Sequence, residues 1–475
     1  MERIEMKRVD DMKKTVLLAT AALLVLLPAL AAAETGAVKL PPCKEYALKN
    51  GLRVFIMETR EVPLVSLQLL VPAGSATDDP GAEGIANLTG RLLTKGAAGL
   101  SADQIAESIE EVGGSVNVDA GRDYATVNGD FLAKDLERGL DIMGKIVLSA
   151  DFPKEEVDRE KGLVVAEIQA AKEQPSAIAS REFTRVLGAQ HPYAHPVDGS
   201  EESVSAITRE KVLAFYKAHY VPAGAILAVV GDVDGGTALG LVKAKFGGWH
   251  GEVAKAAAIP ALTPKKMPGR TLFVIDKDDA TQSQIRIGNL SVGRNTPDYF
   301  PLLVTNSVLG GGFTSRLMDE IRVTRGLSYG ARSDFDQLKA GGFFGVYTYT
   351  KNKTLRETID VALDQLKKIR AEKISDAELT KTKKYITGLF PFNLEQNADL
   401  AGWITDLTYY NLPLTFVETY CPNVDKVTPE DAQRVAQREM WLDDNLILVL
   451  TKYEETKDQL GGLGKVETIN IDQVK

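Results

Sequence analysis

Histidine and cysteine are scarce: four histidines and two cysteines in 475 residues. Cys43 and Cys421 are too few to build the fold from disulfides. A bridge between the two stays open in an oxidising compartment. Cys43 follows Leu40-Pro41-Pro42, a poor lipoprotein signal. Of the histidines, His191 and His195 are four apart, but Pro192 and Pro196 forbid a regular helix, so they form no zinc face. His219 and His250 have no paired carboxylate spacing and read as structural. Basic charge is also missing. The net charge is −9 and the pI about 5.3, with no basic–aromatic cluster, which excludes a general nucleic-acid binder. Beyond the N-terminus no apolar run is long enough to cross a bilayer.

The N-terminus itself is a leader. Lys13-Lys14 precede an apolar run from Val16 to Leu27, then Pro28 and the small-residue site Ala31-Ala32-Ala33. That order is a secretory signal peptide over residues 1–33, with Met1 or Met12 as its start. The mature protein is then periplasmic or secreted, and has no membrane partner once the leader is removed.

What remains is ordinary globular composition, 44% hydrophobic and 25% charged, and long enough for two or three domains. Strands are expected over Arg53–Glu58 and Val65–Val71. An amphipathic helix opens at Gly84, and Ser101 caps another through about Val112. Two strands follow the Gly113-Gly114 break. The stretch "AKDLERGLDIMGKIVLSA" is helical, Phe152-Pro153 breaks it, and a long helix runs from about Lys154 past Ala171. Thr208 caps a further helix, and "AILAVVGDVD" is a buried strand. Residues 253–270, rich in Ala, Pro and Lys, read as a linker. After it the order of strand pair, helix, strands, helix, break and helix recurs. "ISDAELTKTKKYITGLF" parallels "FPKEEVDREKGLVVAEI". The expectation is α+β, with two homologous domains, 34–252 and 271–475, each a mainly antiparallel sheet carrying helices.

Two helix faces stand out. In "GIANLTGRLLTKGA" the apolar stripe is Ile85, Leu88 and Leu92. Asn87, Gly90 and Arg91 share another face. Two histidines and a glutamate at those positions would hold zinc and a general base. An amide, a glycine and a guanidinium cannot. On the helix after Pro153, Glu160 and Glu167 are seven apart on one face, with Val164 between them. They are either a solvated face or a carboxylate pair aimed at a site.

With these residues in view, the chain resembles the pitrilysin/insulinase-like peptidases, which carry an inverted zinc motif, His-x-x-Glu-His. It is most similar in style to their two-domain processing-peptidase members. "GSATDDPGAEGIANLTGRLLTKGA" resembles their zinc-helix segment and "GGSVNVDAGRDYATV" their substrate-pairing edge strand. "HPYAHPVDG", "VVGDVD" and "LGGGFTSRLMDEIRVTRGLSY" fit as well. The resemblance places the family's histidines on Asn87 and Arg91, its catalytic glutamate on Gly90, and its distal acidic positions on Glu160 and Glu167. Asn117 of the edge strand is kept, while Val118 and Ala120 depart from the usual residues. "LGGGFTSRL" lacks the Gly-Lys-Ser/Thr of a phosphate loop; in the family it lies near bound peptide.

The resemblance therefore implies a member whose metal centre is lost, with no cofactor in this chain. Arg91 is expected to fill the vacated space and pair with Glu167, with Glu160 nearby. Arg322 and Tyr329 match the family's arginine–tyrosine pair, which holds peptide. The alternatives are a surface ion pair for Arg322 and core packing for Tyr329. The implied partners are peptide substrate and a homologous subunit bearing His-x-x-Glu-His and zinc. A non-enzymatic structural or peptide-binding protein of the same fold is the rival. N-terminal sequencing of the native protein should find Glu34 first; a retained Val16–Leu27 would disprove a cleaved leader.

Overall fold

The run Ile226–Gly231 is buried at every position, so it must be covered on both faces. That requirement organises the whole molecule. A computed structural model describes residues 38–251, 259–264 and 269–474; the leader and much of 253–270 lie outside them. The first half forms one sheet from β1 (Cys43–Ala47), β2 (Arg53–Glu58), β3 (Leu64–Val71), β4 (Ser115–Ala120), β5 (Ala125–Leu132) and β6 (Ile226–Gly231). Their order is β1-β2-β6-β3-β5-β4. The second half repeats it with β7 (Thr271–Asp276), β8 (Gln282–Ser291), β9 (Ala331–Leu338), β10 (Gly341–Lys351), β11 (Leu446–Thr451) and β12 (Lys465–Asn470). Here the order is β9-β10-β8-β11-β7-β12.

Five strand positions correspond. Both sheets contain three antiparallel pairings and one parallel pairing, β2 with β6 and β7 with β11. Only the outer strand differs: β1 runs antiparallel to β2, whereas β12 runs parallel to β7. The fold is α+β, as the repeated pattern suggests. No helix among the described residues is long and apolar enough to cross a membrane.

Among the helices that cover these sheets are α1 (Ile85–Leu92), α2 (Lys154–Lys172), α3 (Pro175–Gly188) and α4 (Asn397–Tyr409). One face of the first sheet is covered from within its own half. Val54, Ile56, Leu67, Leu227 and Val229 pack there with Leu88 and Leu92 of α1 and Val164 of α2. The opposite face, with Phe55, Met57, Leu70, Ile226, Ala228 and Val230, is covered by α4 through Leu400, Ala401 and Ile404. The second sheet is treated reciprocally. Its residues Phe273, Ile275, Leu446, Leu448 and Leu450 bury Ile178, Ala179 and Phe183 of α3. Each half thus lends a helix to the other's sheet. Each large side chain so buried contributes about 1.5–3 kcal/mol. Residues 40–475 accordingly form one compact unit, and a division at the linker separates the sheets but not the helices that cover them. Part of the linker is itself fixed: Leu262 is buried in the second core, and its N–H donates to Ala340 O at 2.7 Å.

The turn between β4 and β5 joins the halves by polar contacts. Asp123 is buried. Its Oδ1 accepts the Tyr193 hydroxyl. Its Oδ2 accepts the Tyr410 hydroxyl at 2.9 Å and the Lys339 N–H at 2.8 Å. Its carbonyl accepts the Tyr409 hydroxyl at 3.0 Å. Burial, reinforced by the Asp123 carboxylate, pushes the Tyr193 and Tyr410 hydroxyls far above the usual tyrosine range. Neighbouring Arg122 donates to Tyr193 O at 3.2 Å and faces Asp336 at 3.5 Å.

Asp123→Ala would leave two hydroxyls and one amide without their acceptor, at about 1–3 kcal/mol each. We expect a loss of several kcal/mol in urea unfolding, against less than about 0.5 kcal/mol for Asp119→Ala on the exposed side of β4. Equal losses would contradict the role of Asp123.

Candidate functional site

The start of α1 is set by residues drawn from two of the motif segments. Gly84 is its N-cap at φ 96°. A Cβ there would lie 2.7 Å from Asp198 O, so both backbone angle and space require glycine. Asp78 accepts the N–H groups of Gly84 at 2.7 Å and Ala86 at 3.0 Å. Burial outweighs these bonds and pushes the Asp78 pKa up to about 8. Ser203 Oγ holds Glu83 O at 2.7 Å. Helix α1 lies between α2 and the edge strand β4, presenting one face to each.

Arg91 reaches from α1 to α2. Its Nη1 and Nη2 donate to the two carboxylate oxygens of Glu167 at 2.9 and 3.0 Å. Its Nε donates to Glu160 Oε2 at 3.1 Å. Glu160 is 4% exposed and Glu167 57%, so the cation links a buried acid to a wet one. Lys95 Nζ adds a contact to Glu160 Oε1 at 3.5 Å. Burial works against the Arg91 charge, but the bonds and fields of Glu167 and Glu160 outweigh it and raise its pKa. The expected pairing is present: one guanidinium holds both acids, the buried Glu160 and the exposed Glu167.

Gly90 faces β4. A Cβ there would lie 3.4 Å from Val118 Cγ1, 3.8 Å from the Tyr220 hydroxyl and 3.9 Å from Ala120 Cβ. A methyl group fits there in ordinary van der Waals contact. Asn117 is exposed on β4, whose outer edge is unpaired. This donor set does not suit zinc. The guanidinium already holds both carboxylates, and a group of three His, Cys, Asp or Glu side chains able to bind a metal does not occur among the described residues. His191 Nδ1 accepts the Tyr193 N–H at 3.1 Å, and its Nε2 lies 2.7 Å from Pro260 O. His195 Nδ1 lies 3.0 Å from Pro196 O. His219 stacks on Phe215 at 4.3 Å. Cys43 and Cys421 are free thiols.

Arg322 and Tyr329 sit elsewhere. After the glycine break the chain winds as a π-helix over Met318–Thr324, a rare form that recurs at functional sites. Arg322 stacks on the Phe313 ring at 4.6 Å. Tyr329 is 81% exposed. Both line an open groove of about 900 Å³ with Gly310–Gly312, Phe313, Arg286 and Tyr347. Neither alternative reading holds: Tyr329 is outside the core, and Arg322 has no ion pair among the described residues. No residue of α1 or β4 lines this groove, so the degenerate zinc position and the arginine–tyrosine pair do not share a cavity. Sequence reasoning passed over Arg286, Arg332 and Tyr347. The signal for Arg286 was a charge between Ile285 and Ile287, the single charged residue of its strand.

Fold and site together define a peptidase-like protein whose metal helix carries an arginine in place of a ligand. Comparison with known proteins agrees. Residues 53–198 match the profile of insulinase (peptidase family M16), and residues 206–386 that of the peptidase M16 inactive domain. An uncharacterized zinc protease of Mycobacterium leprae is 29% identical over 394 residues, covering 82% of this chain and 88% of that protein. The crystal structure of a peptidase M16 inactive domain from Pseudomonas fluorescens superposes with a TM-score of 0.81 at 28% identity, covering 86% of this chain and 97% of that one. A protease from Helicobacter pylori shares the fold, with a TM-score of 0.80 at 24% identity over 87% of this chain and all of that one. The chain belongs to peptidase family M16.

Arg91→Ala leaves buried Glu160 with only the longer contacts of Lys95 at 3.5 Å and Arg159 at 3.9 Å. We expect a loss of roughly 1–3 kcal/mol, below that of a fully buried pair because Glu167 is wet. Elemental analysis should find far less than one zinc per molecule in the parent chain; stoichiometric zinc lost on Glu167→Ala would overturn the site's reading.

Proposed function

We propose that this chain is the non-catalytic subunit of an exported zinc metallopeptidase. It holds peptide for a homologous partner chain bearing His-x-x-Glu-His. The observation that carries this reading is the contrast between two sites. Arg91 closes the zinc position by pairing with Glu167 and Glu160, while Arg322 and Tyr329 remain open to solvent in a groove. A guanidinium and a phenol are donors. They can hold a peptide carbonyl and stabilise negative charge that develops on its oxygen. The metal and the base belong to the partner, and the free edge of β4 with Asn117 is suited to pair with extended peptide. The match to the family's inactive domain and the zinc-protease names of relatives support the division of labour. The leader supports a periplasmic or secreted site of action.

Co-expression with a His-x-x-Glu-His-bearing homologue tests this. The complex should cleave peptides that neither chain cleaves alone. Arg322→Ala or Tyr329→Phe should lower cleavage toward the 10²–10³-fold loss on the order of a missing oxyanion donor, with assembly and zinc content unchanged. Asn87→Ala should be nearly silent. Full activity of the partner alone, or of a complex lacking both Arg322 and Tyr329, would favour the non-enzymatic alternative.

A further inference from the structure

The wall of the groove is unevenly charged. Arg286, on β8, is 4% exposed. Its guanidinium is held by neutral acceptors only: Ser180 Oγ at 3.1 Å, Ser176 O at 2.9 Å, Ile285 O at 3.0 Å and Thr348 O at 3.3 Å. The one other arginine buried to this degree among the described residues, Arg294, faces Asp406 at 3.8 Å, and the less buried Arg316 faces Glu378 at 2.6 Å. Burial pushes Arg286 down to about 10, the Tyr347 hydroxyl opposes this, and Arg332 adds to it. Neutral acceptors satisfy its N–H groups but leave its charge unbalanced, which is costly at this depth.

The neighbouring cations do not relieve this. The Tyr347 ring lies 5.4 Å from the Arg286 guanidinium and 4.3 Å from that of Arg332. The ring is held down over Gly345, where a Cβ would lie 2.5 Å from the Tyr347 hydroxyl. Arg332 is paired with Asp334, the only acid lining the groove. Arg322 stacks on Phe313 and makes no hydrogen bond to the described residues, so its N–H donors are free. Three guanidinium groups and one carboxylate therefore share a single groove, on a chain whose net charge is −9.

We propose that this groove recognises a carboxylate of the bound peptide in the field of Arg286 and Arg332, received by those of the five Arg322 N–H donors that a peptide carbonyl leaves free. The inference rests on the peptide-holding function proposed above and adds its substrate class. A planar carboxylate matches the open Arg322 fork. Its negative charge also offsets the positive potential of the groove that Arg286 and Arg332 line. The carboxylate is either an acidic side chain or the peptide's C-terminus; both present the same group.

Calorimetric titration of the full mature chain with three N-acetylated octapeptides separates these sources. One carries an internal glutamate and an amidated C-terminus. The second has neutral side chains and a free C-terminus. The third is neutral and amidated. One of the first two should bind at least about tenfold more tightly than the third, the factor that one charge-assisted hydrogen bond supplies. The tighter one identifies the source. Arg322→Gln should erase the preference and Arg322→Lys should keep part of it. Arg286→Gln should narrow it; if that variant does not fold, the Arg322 pair decides. Equal binding of all three peptides, or a preference that survives Arg322→Gln, would overturn the carboxylate assignment while leaving the peptide-holding reading in place. No binding of any peptide would overturn both.

Discussion

Neither sheet of this molecule can be buried by its own half. Strands β6 and β11 are apolar along their whole length, and a strand of that kind needs cover on both faces. The exchange of α3 and α4 supplies it. Helix α4 adds a polar contact beside its apolar face: Thr405 Oγ1 accepts Gln68 Nε2 at 2.8 Å. Asp123 then locks the exchange, gathering the C-terminal end of α4, the β9–β10 turn and the segment following α3 onto one carboxylate. The arginine groove is a product of the same exchange. Ser176 and Ser180, which hold Arg286, belong to α3 of the first half, whereas Arg286 itself belongs to the second.

Arg91 shows how one cation neutralises two acids of a facing helix. Two acids on α2 facing a void at α1 would carry uncompensated negative charge. One guanidinium answers this with three N–H bonds, two of them parallel to Glu167. The arginine is fixed in charge and cannot exchange. Gly90 and Val118 close the space beside it.

Local features of the fold were legible in the sequence. The bounds of β2, the Pro153 break before α2, and the capping residues Ser101 and Thr208 follow from side chains within a few positions of the structure they set. The exchanged helices were not legible. The face of α4 is written to fit β3 and β6, more than 150 residues away, and nothing local to Asn397–Tyr409 names that partner. The Arg91–Glu167 pair was legible because chemistry constrained it: two acids and one cation on facing helices have few alternatives. The π-turn at Arg322 and the isolation of Arg286 were not, since both depend on which strands and helices meet there.

The two halves therefore carry opposite solutions to one electrostatic problem. In the first, an acid pair of the kind that suits a divalent cation is neutralised from within by Arg91. In the second, Arg286 is left unneutralised although the chain has acidic residues to spare, 65 against 56 basic ones. A second internal carboxylate at the groove would have stabilised Arg286 by the same means that serve Arg91 and Arg316. Keeping it absent leaves the fork of Arg322 open and the local potential positive. One charged site is thus sealed from within, while the other is held by neutral acceptors alone.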